Sequence, residues 1–231
     1  MLTLGIDTST RVCSVAVAKD DKILGAVDIN VGLTHSEGLV PQLEQLLTLA
    51  QVTKEELELI AVSRGPGSFT GLRIGMATAE ALAYSLNLPL VAVDTLQVIA
   101  YNLPVEGVLL APVLDAQKGN VYLGRYQWQE GKMVEVEPVQ IVPGEEVGAL
   151  LNAQELPAIL MGETQRVPLL DNCPFVSLAP SSARLPRGSS VAILGAAQYV
   201  PGELHSYFGM DPFYIRRSEA EELWEKRHPK A

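Results

Sequence analysis

Two apolar segments of this 231-residue chain begin the same pattern. Residues 2–7 end in Asp7, and residues 108–116 end in Asp115-Ala116; each is followed by a brief turn and two more strand-like runs. The two aspartates stand 108 residues apart, a spacing too long for a solenoid repeat and suited to a duplicated domain. In the first copy, runs 12–18 and 23–29 are rich in branched residues and flank the polar turn Lys19-Asp20-Asp21-Lys22. In the second, runs 121–129 and 133–141 flank Gln129-Glu130-Gly131-Lys132. Strands joined by such short turns pair antiparallel, because a parallel pair needs a crossover of about a dozen residues.

After its three strands the first copy changes period. Thr34-His35-Ser36-Glu37 fits a capping box, and Leu39, Val40, Leu43, Leu46, Leu47 and Ala50 recur at helical spacing. A buried strand at 59–63, a glycine-rich loop, a helix at 70–86, a strand at 90–93 and a short helix at 95–101 complete it. The second copy is shorter and less regular: a helix at 145–151, strands at 158–161 and 175–178, and a closing helix at 191–199. Three antiparallel strands followed by parallel βαβ units describe a mixed sheet with helices on its faces. The expected class is α/β, the ribonuclease H-like half of an actin/Hsp70-like fold present twice. Tyr101-Asn102-Leu103-Pro104 breaks the helical pattern, which predicts domains at 1–103 and 104–217 and a short tail at 218–231.

Charge narrows the partners. The net charge is −10, and residues 1–100 and 101–231 carry −5 each. No long basic stretch is present to neutralise phosphates, so nucleic acid is expected as a ligand only through a partner or a local basic surface. No apolar run approaches the length of a membrane span, and the N-terminus lacks a secretory signal, so a cytoplasmic protein is expected. Cys13 and Cys173 form no Cys-x-x-Cys and read as reduced thiols.

The densest motif is Arg64-Gly65-Pro66-Gly67-Ser68-Phe69-Thr70-Gly71-Leu72-Arg73-Ile74-Gly75. No Gly-Lys-Ser/Thr closes it as a P-loop, and Gly65-x-Gly67-x-x-x-Gly71 is one residue too long for a dinucleotide fingerprint. Two readings stand: a tight strand-to-helix turn, or an anion- or nucleotide-binding loop built on Gly65, Gly67, Ser68, Thr70 and Gly71. Asp7-Thr8-Ser9 likewise has two readings. The Asp could hold a metal-bound water while the hydroxyls donate to phosphate, or it could simply bond its own turn. Asp115 leans to the second. Gly75, inside a helix, reads as a close-packing position. The histidines, His35, His205 and His228, have no second ligand at metal spacing, so no metal is expected. Ser63 and Ser68 lie in no Gly-x-Ser-x-Gly elbow, which argues against a serine hydrolase.

LGIDTSTRVCSVAVA, THSEGLVPQLEQLL, SRGPGSFTGLRIGMATAEALA, LVAVDTLQVIA, LDAQKGNVYLGRY and the late PFYIR together resemble the bacterial TsaB family, also called YeaZ. The resemblance implies a role in making N6-threonylcarbamoyladenosine at adenosine 37 of tRNAs that read codons beginning with A. It further implies a non-catalytic subunit that pairs with the transferase TsaD, works with the ATPase TsaE, forms a homodimer when alone and meets tRNA only within the complex. The paralogous catalyst carries a His-x-x-x-His metal motif whose counterparts here are Thr95 and Ile99, neither able to replace an imidazole. No cofactor is implied. A competing reading, an independent ATPase or metalloprotease, would need a second phosphate loop or that missing ligand pair.

In the family, the first two helices form the partner surface. The two apolar stripes could simply cover the sheet; read instead as a partner surface, the expected interface residues are Leu39, Leu43, Leu46, Leu72, Met76 and Ala79, with Leu39, Leu43 and Met76 partly exposed in the monomer and Gly75 and Ala79 admitting another helix. Met76→Glu is thus expected to weaken association without unfolding the chain. Gly67 and Gly71 are expected to matter to folding and loop shape more than to catalysis, a β-branched side chain at Gly71 costing about 1–3 kcal/mol if its φ is positive.

Overall fold

The computed structural model describes residues 1–30, 35–168, 170, 172–201 and 213. The first sheet is formed by β1 (Leu2–Asp7), β2 (Cys13–Lys19), β3 (Lys22–Ile29), β4 (Leu59–Gly65) and β5 (Leu90–Asp94), in the order β3-β2-β1-β4-β5. The first three strands pair antiparallel, while β4 and β5 add in parallel beyond β1. The second sheet is formed by β6 (Leu109–Asp115), β7 (Asn120–Gln129), β8 (Lys132–Pro143), β9 (Ala158–Gly162) and β10 (Val176–Leu178), in the order β10-β9-β6-β7-β8. Counted within each copy, the orders are identical. The chain is therefore a duplicated ribonuclease H-like unit with an actin/Hsp70-like fold. The second copy is reduced: α4 (Gly144–Asn152) is shorter than α1 (His35–Ala50). A 3-10 turn at Thr164–Arg166 and a loop stand where the first copy has α2 (Phe69–Leu86).

Local sequence sets these elements. Ser68 caps α2 by accepting from the Gly71 amide at 3.2 Å. Asn87, in the left-handed region at φ 53°, ends that helix two residues before Pro89. Thr34, the expected cap of α1, lies outside the described residues. So do the tail at 218–231 and all of Pro212–Arg216 except Phe213.

Strand alternation divides the first sheet into two faces. Leu4, Ile6, Val15, Val17, Ile60 and Val62 meet α1 and α2 on one. On the other, Leu59, Ala61, Val91 and Val93 pack with Val191 and Leu194 of α5 (Gly188–Gln198). The closing helix of the second copy thus packs on the sheet of the first. Conversely, α3 (Thr95–Tyr101) places Leu96, Ile99 and Ala100 in the core of the second sheet, with Leu110, Leu114 and Tyr122. Small residues permit the crossing. A Cβ on Gly5 would collide with the Gly188 carbonyl, and one on Gly195 with the Ala61 methyl. Asn102 ties the ends together, donating to the Leu185 carbonyl at 2.7 Å and accepting from Ser190 Oγ at 2.8 Å. No helix among the described residues is long and apolar enough to cross a membrane.

The approach at Gly5 yields a direct expectation. Gly5→Val forces side-chain carbons into the α5 backbone and lowers stability by about 3 kcal/mol. Urea unfolding of the two chains measures it, and an unchanged midpoint contradicts the packing.

Candidate functional site

The turn between β1 and β2 and the glycine loop meet at the carboxyl ends of β1 and β4. Asp7 is wholly buried there. It accepts from Ser9 Oγ at 2.9 and 3.1 Å, from the Ser9 amide at 3.1 Å, and from Ser63 Oγ. Burial raises its pKa above the ordinary carboxylate value, and the hydrogen bonds from Ser63 and Ser9 and the nearby His35 oppose this only in part. Sequence reasoning passed over Ser63 as Asp7's partner. The signal was available, because Ile6 pairs with Val62 in register and the next residues of both strands are polar. His35 joins the start of α1 to the same turn through its Nε2 atom, 2.7 Å from the Thr10 carbonyl. Burial pushes the Cys13 thiol up to about 11, with Asp7 adding to the shift. Neither cysteine forms a disulfide, and both are buried.

The glycine loop lies directly on this turn. The Ser68 amide donates to the Ser9 carbonyl at 2.7 Å, and Thr8 Oγ1 donates to the Gly71 carbonyl at 2.7 Å. A Cβ on Gly67 would collide with the Ser9 carbonyl, one on Gly71 with the Thr8 carbonyl, and one on Gly75 with Thr8 Oγ1. Two expectations change here. Gly71 lies outside the left-handed region, so close approach to Thr8, not backbone conformation, excludes a side chain there. Gly75 admits Thr8, not another helix. Gly65 does have a positive φ, 116°. The amides of Ser68 and Gly71 are engaged within the chain, and the Thr8 and Ser9 carbonyl oxygens line the contact. That arrangement fits a structural joint better than a phosphate cradle, while Thr70 is exposed on the first turn of α2.

In the second copy Asp115 binds its own turn. It accepts from the Gln117 amide at 2.8 Å and pairs with Arg166 at 2.8 Å. Thr95 and Ile99 are both wholly buried.

The expected exposure of the helix stripe is overturned. Leu39 is 1% exposed and Met76 3%, and Leu43, Leu46, Leu72 and Ala79 are also buried. Leu39, Leu43, Leu46, Met76 and Ala79 join the core against β1, β2 and β4. Most of the apolar stripe is the inner face, covered by the sheet. Outward stand Val40, 51% exposed, on α1, and Ala77, Ala81 and Tyr84, the last 63% exposed, on α2. Their spacing of three to four residues places the α2 group on one side of the helix.

Comparison with known proteins gives a consistent answer. A family model described as "TsaD: tRNA N6-adenosine threonylcarbamoyltransferase" matches residues 22–167. The chain is 31% identical to the tRNA threonylcarbamoyladenosine biosynthesis protein TsaB of Bacillus subtilis, over 97% of this chain and 98% of that protein. It is 30% identical to the protein of the same name from Escherichia coli, over 98% of both. A Pseudomonas aeruginosa crystal structure, described as an uncharacterized protein with similarity to peptidase YEAZ, superposes with a TM-score of 0.78 at 30% identity. That match spans 93% of this chain and 99% of the other. A second, described as YeaZ from the same organism, gives 0.75 at 29% identity over 93% and 99%.

Two measurements probe the joint. Gly71→Val drives a branched side chain into the Thr8 carbonyl and lowers stability by about 1–3 kcal/mol, which chemical denaturation reads; no loss means the loop can move aside. For Asp7 the sign follows from its raised pKa. The folded state favours the protonated acid, so its contribution is greatest below the ordinary carboxylate range and declines as pH rises toward the raised value. Asp7→Asn removes that decline. The stability of the variant relative to the parent should therefore increase from acid to neutral pH in urea titrations, and a decrease would show that the carboxylate is the favoured form.

Proposed function

Because the chain belongs to the TsaB (YeaZ) family, we propose that it acts in tRNA N6-threonylcarbamoyladenosine biosynthesis as a non-catalytic subunit that binds and stabilises the transferase TsaD. The observation that carries the reading is identity to TsaB proteins along nearly the whole chain. In this reading TsaE supplies ATPase activity, the modified base is adenosine 37 of tRNAs reading codons that begin with A, and tRNA is met only within the assembly. Alone, the chain pairs with a second copy through the same face.

The geometry supports a scaffold over an independent enzyme. Asp7 is sealed from solvent, and the loop that would cradle a phosphate is packed on the Thr8 and Ser9 carbonyl oxygens. Thr95 and Ile99, the counterparts of the catalyst's metal ligands, are a hydroxyl and a hydrocarbon in the interior. The partner surface moves from the buried stripe to the outer faces of α1 and α2. Ala77 and Ala81 are small enough to admit another helix closely, and Val40 and Tyr84 supply apolar area beside them.

Reconstitution tests the function. TsaD, TsaE, tRNA, ATP and the threonylcarbamoyl donor should give modified tRNA only when this chain is added. Equal modification without it would defeat the reading, as would threonylcarbamoyl transfer or ATP turnover by this chain alone. The surface has its own test. Ala77→Glu or Ala81→Glu places an unpaired charge in the docked face and should weaken association by about 3 kcal/mol or more while the monomer stays folded. Met76→Glu, now placed in the core, should instead unfold the chain. Light scattering with circular dichroism separates the two outcomes; a folded A77E that still associates at full strength removes α2 from the interface.

A further inference from the structure

Phe213 is held at the end of β4 by contacts that neither the glycine joint nor the partner face uses. Its amide donates to the Arg64 carbonyl at 2.8 Å. Its ring lies beneath the Arg64 guanidinium, 5.5 Å from carbon to centroid. Its carbonyl oxygen stands beside Gly65, where a Cβ would come within 3.1 Å of that oxygen and 3.1 Å of Leu72 Cδ1. Asp94 fixes the guanidinium by accepting from Arg64 Nε at 2.6 Å.

The seat is built into the sheet. Pairing of β4 with β5 passes from Ser63–Val93 to Gly65–Asp94, so Arg64 is the bulged residue with no partner in that register. A bulge leaves backbone groups outside the ladder, and here the Arg64 carbonyl takes its hydrogen bond from Phe213. The glycine at φ 116° takes a conformation other residues rarely adopt, and a Cβ there would crowd the incoming main chain. The guanidinium selects an aromatic ring, since its charge is attracted to a π face and much less to an aliphatic group.

We propose that Phe213 is a latch that clamps the entrance of the glycine loop, with Arg64 as its seat. Thr8 and Ser9 hold the loop from inside and Phe213 holds it from outside, next to Leu72 at the start of α2. The inference does not depend on the proposed partner, because the latch is internal to the chain.

Hydrogen–deuterium exchange on the full chain tests it. Phe213→Ala and Arg64→Gln should each speed exchange of the amides between Gly65 and Leu72 by roughly fivefold or more, with the circular dichroism spectrum and thermal midpoint preserved. Phe213→Tyr keeps the ring and should exchange at the parent rate. Unchanged exchange in folded F213A overturns the latch, and so does F213Y exchanging as fast as F213A. Should F213A lose cooperative unfolding, R64Q decides by the same ratio.

Discussion

The contact between the β1–β2 turn and the start of α2 governs the first half of the molecule. Three glycines, Gly67, Gly71 and Gly75, bring loop and helix backbone against Ser9 and Thr8, closer than any side chain would allow. The Ser68 amide and the Thr8 hydroxyl then bond across the contact. Helix α2 is thereby set on the sheet at a fixed depth, with Leu72, Met76, Ala79 and Ala83 directed inward. The depth also decides what remains outside. Ala77 and Ala81 stand outward because Met76 and Ala79 are already committed to the sheet.

The same contact bears on chemistry. A glycine-rich strand-to-helix turn can present amides to an anion, but only if the space before them is open. Here Thr8 and Ser9 occupy that space with carbonyl oxygens, which repel an anion. Behind them lies a carboxyl group that burial keeps toward its protonated form. The arrangement keeps the shape of a phosphate-facing turn in a chain whose proposed contribution is a rigid surface.

That rigidity draws on both copies of the duplicated unit. Helix α5 crosses to cover the first sheet, and α3 enters the core of the second, so each half supplies apolar surface that the other needs. The outer faces of α1 and α2 are thus backed by a sheet whose far side is filled from the C-terminal half. Disturbance at Gly188, far along the chain from α1, reaches the sheet beneath it through Gly5.

Much of this was legible in the residues themselves. Alternating branched runs marked the strands, short polar turns marked antiparallel pairing, and the recurrence after 108 residues marked a duplicated sheet that the topology reproduces strand for strand. The glycine loop announced a close approach, because hydrogen is the only substituent such a contact admits. Which atoms approach one another was not legible. Gly71 needs its hydrogen because of Thr8, sixty-three residues earlier, and no local φ preference encodes that. The apolar stripes of α1 and α2 were read correctly as stripes and wrongly as exposed. Periodicity reports that one side of a helix is apolar and leaves open whether a sheet or a partner covers it. The crossing of α5 was equally silent, since an almost uniformly apolar or small sequence such as VAILGAA can cover either sheet. Tertiary structure decided these points because they depend on which surfaces meet, and a single helix or strand carries only half of each meeting.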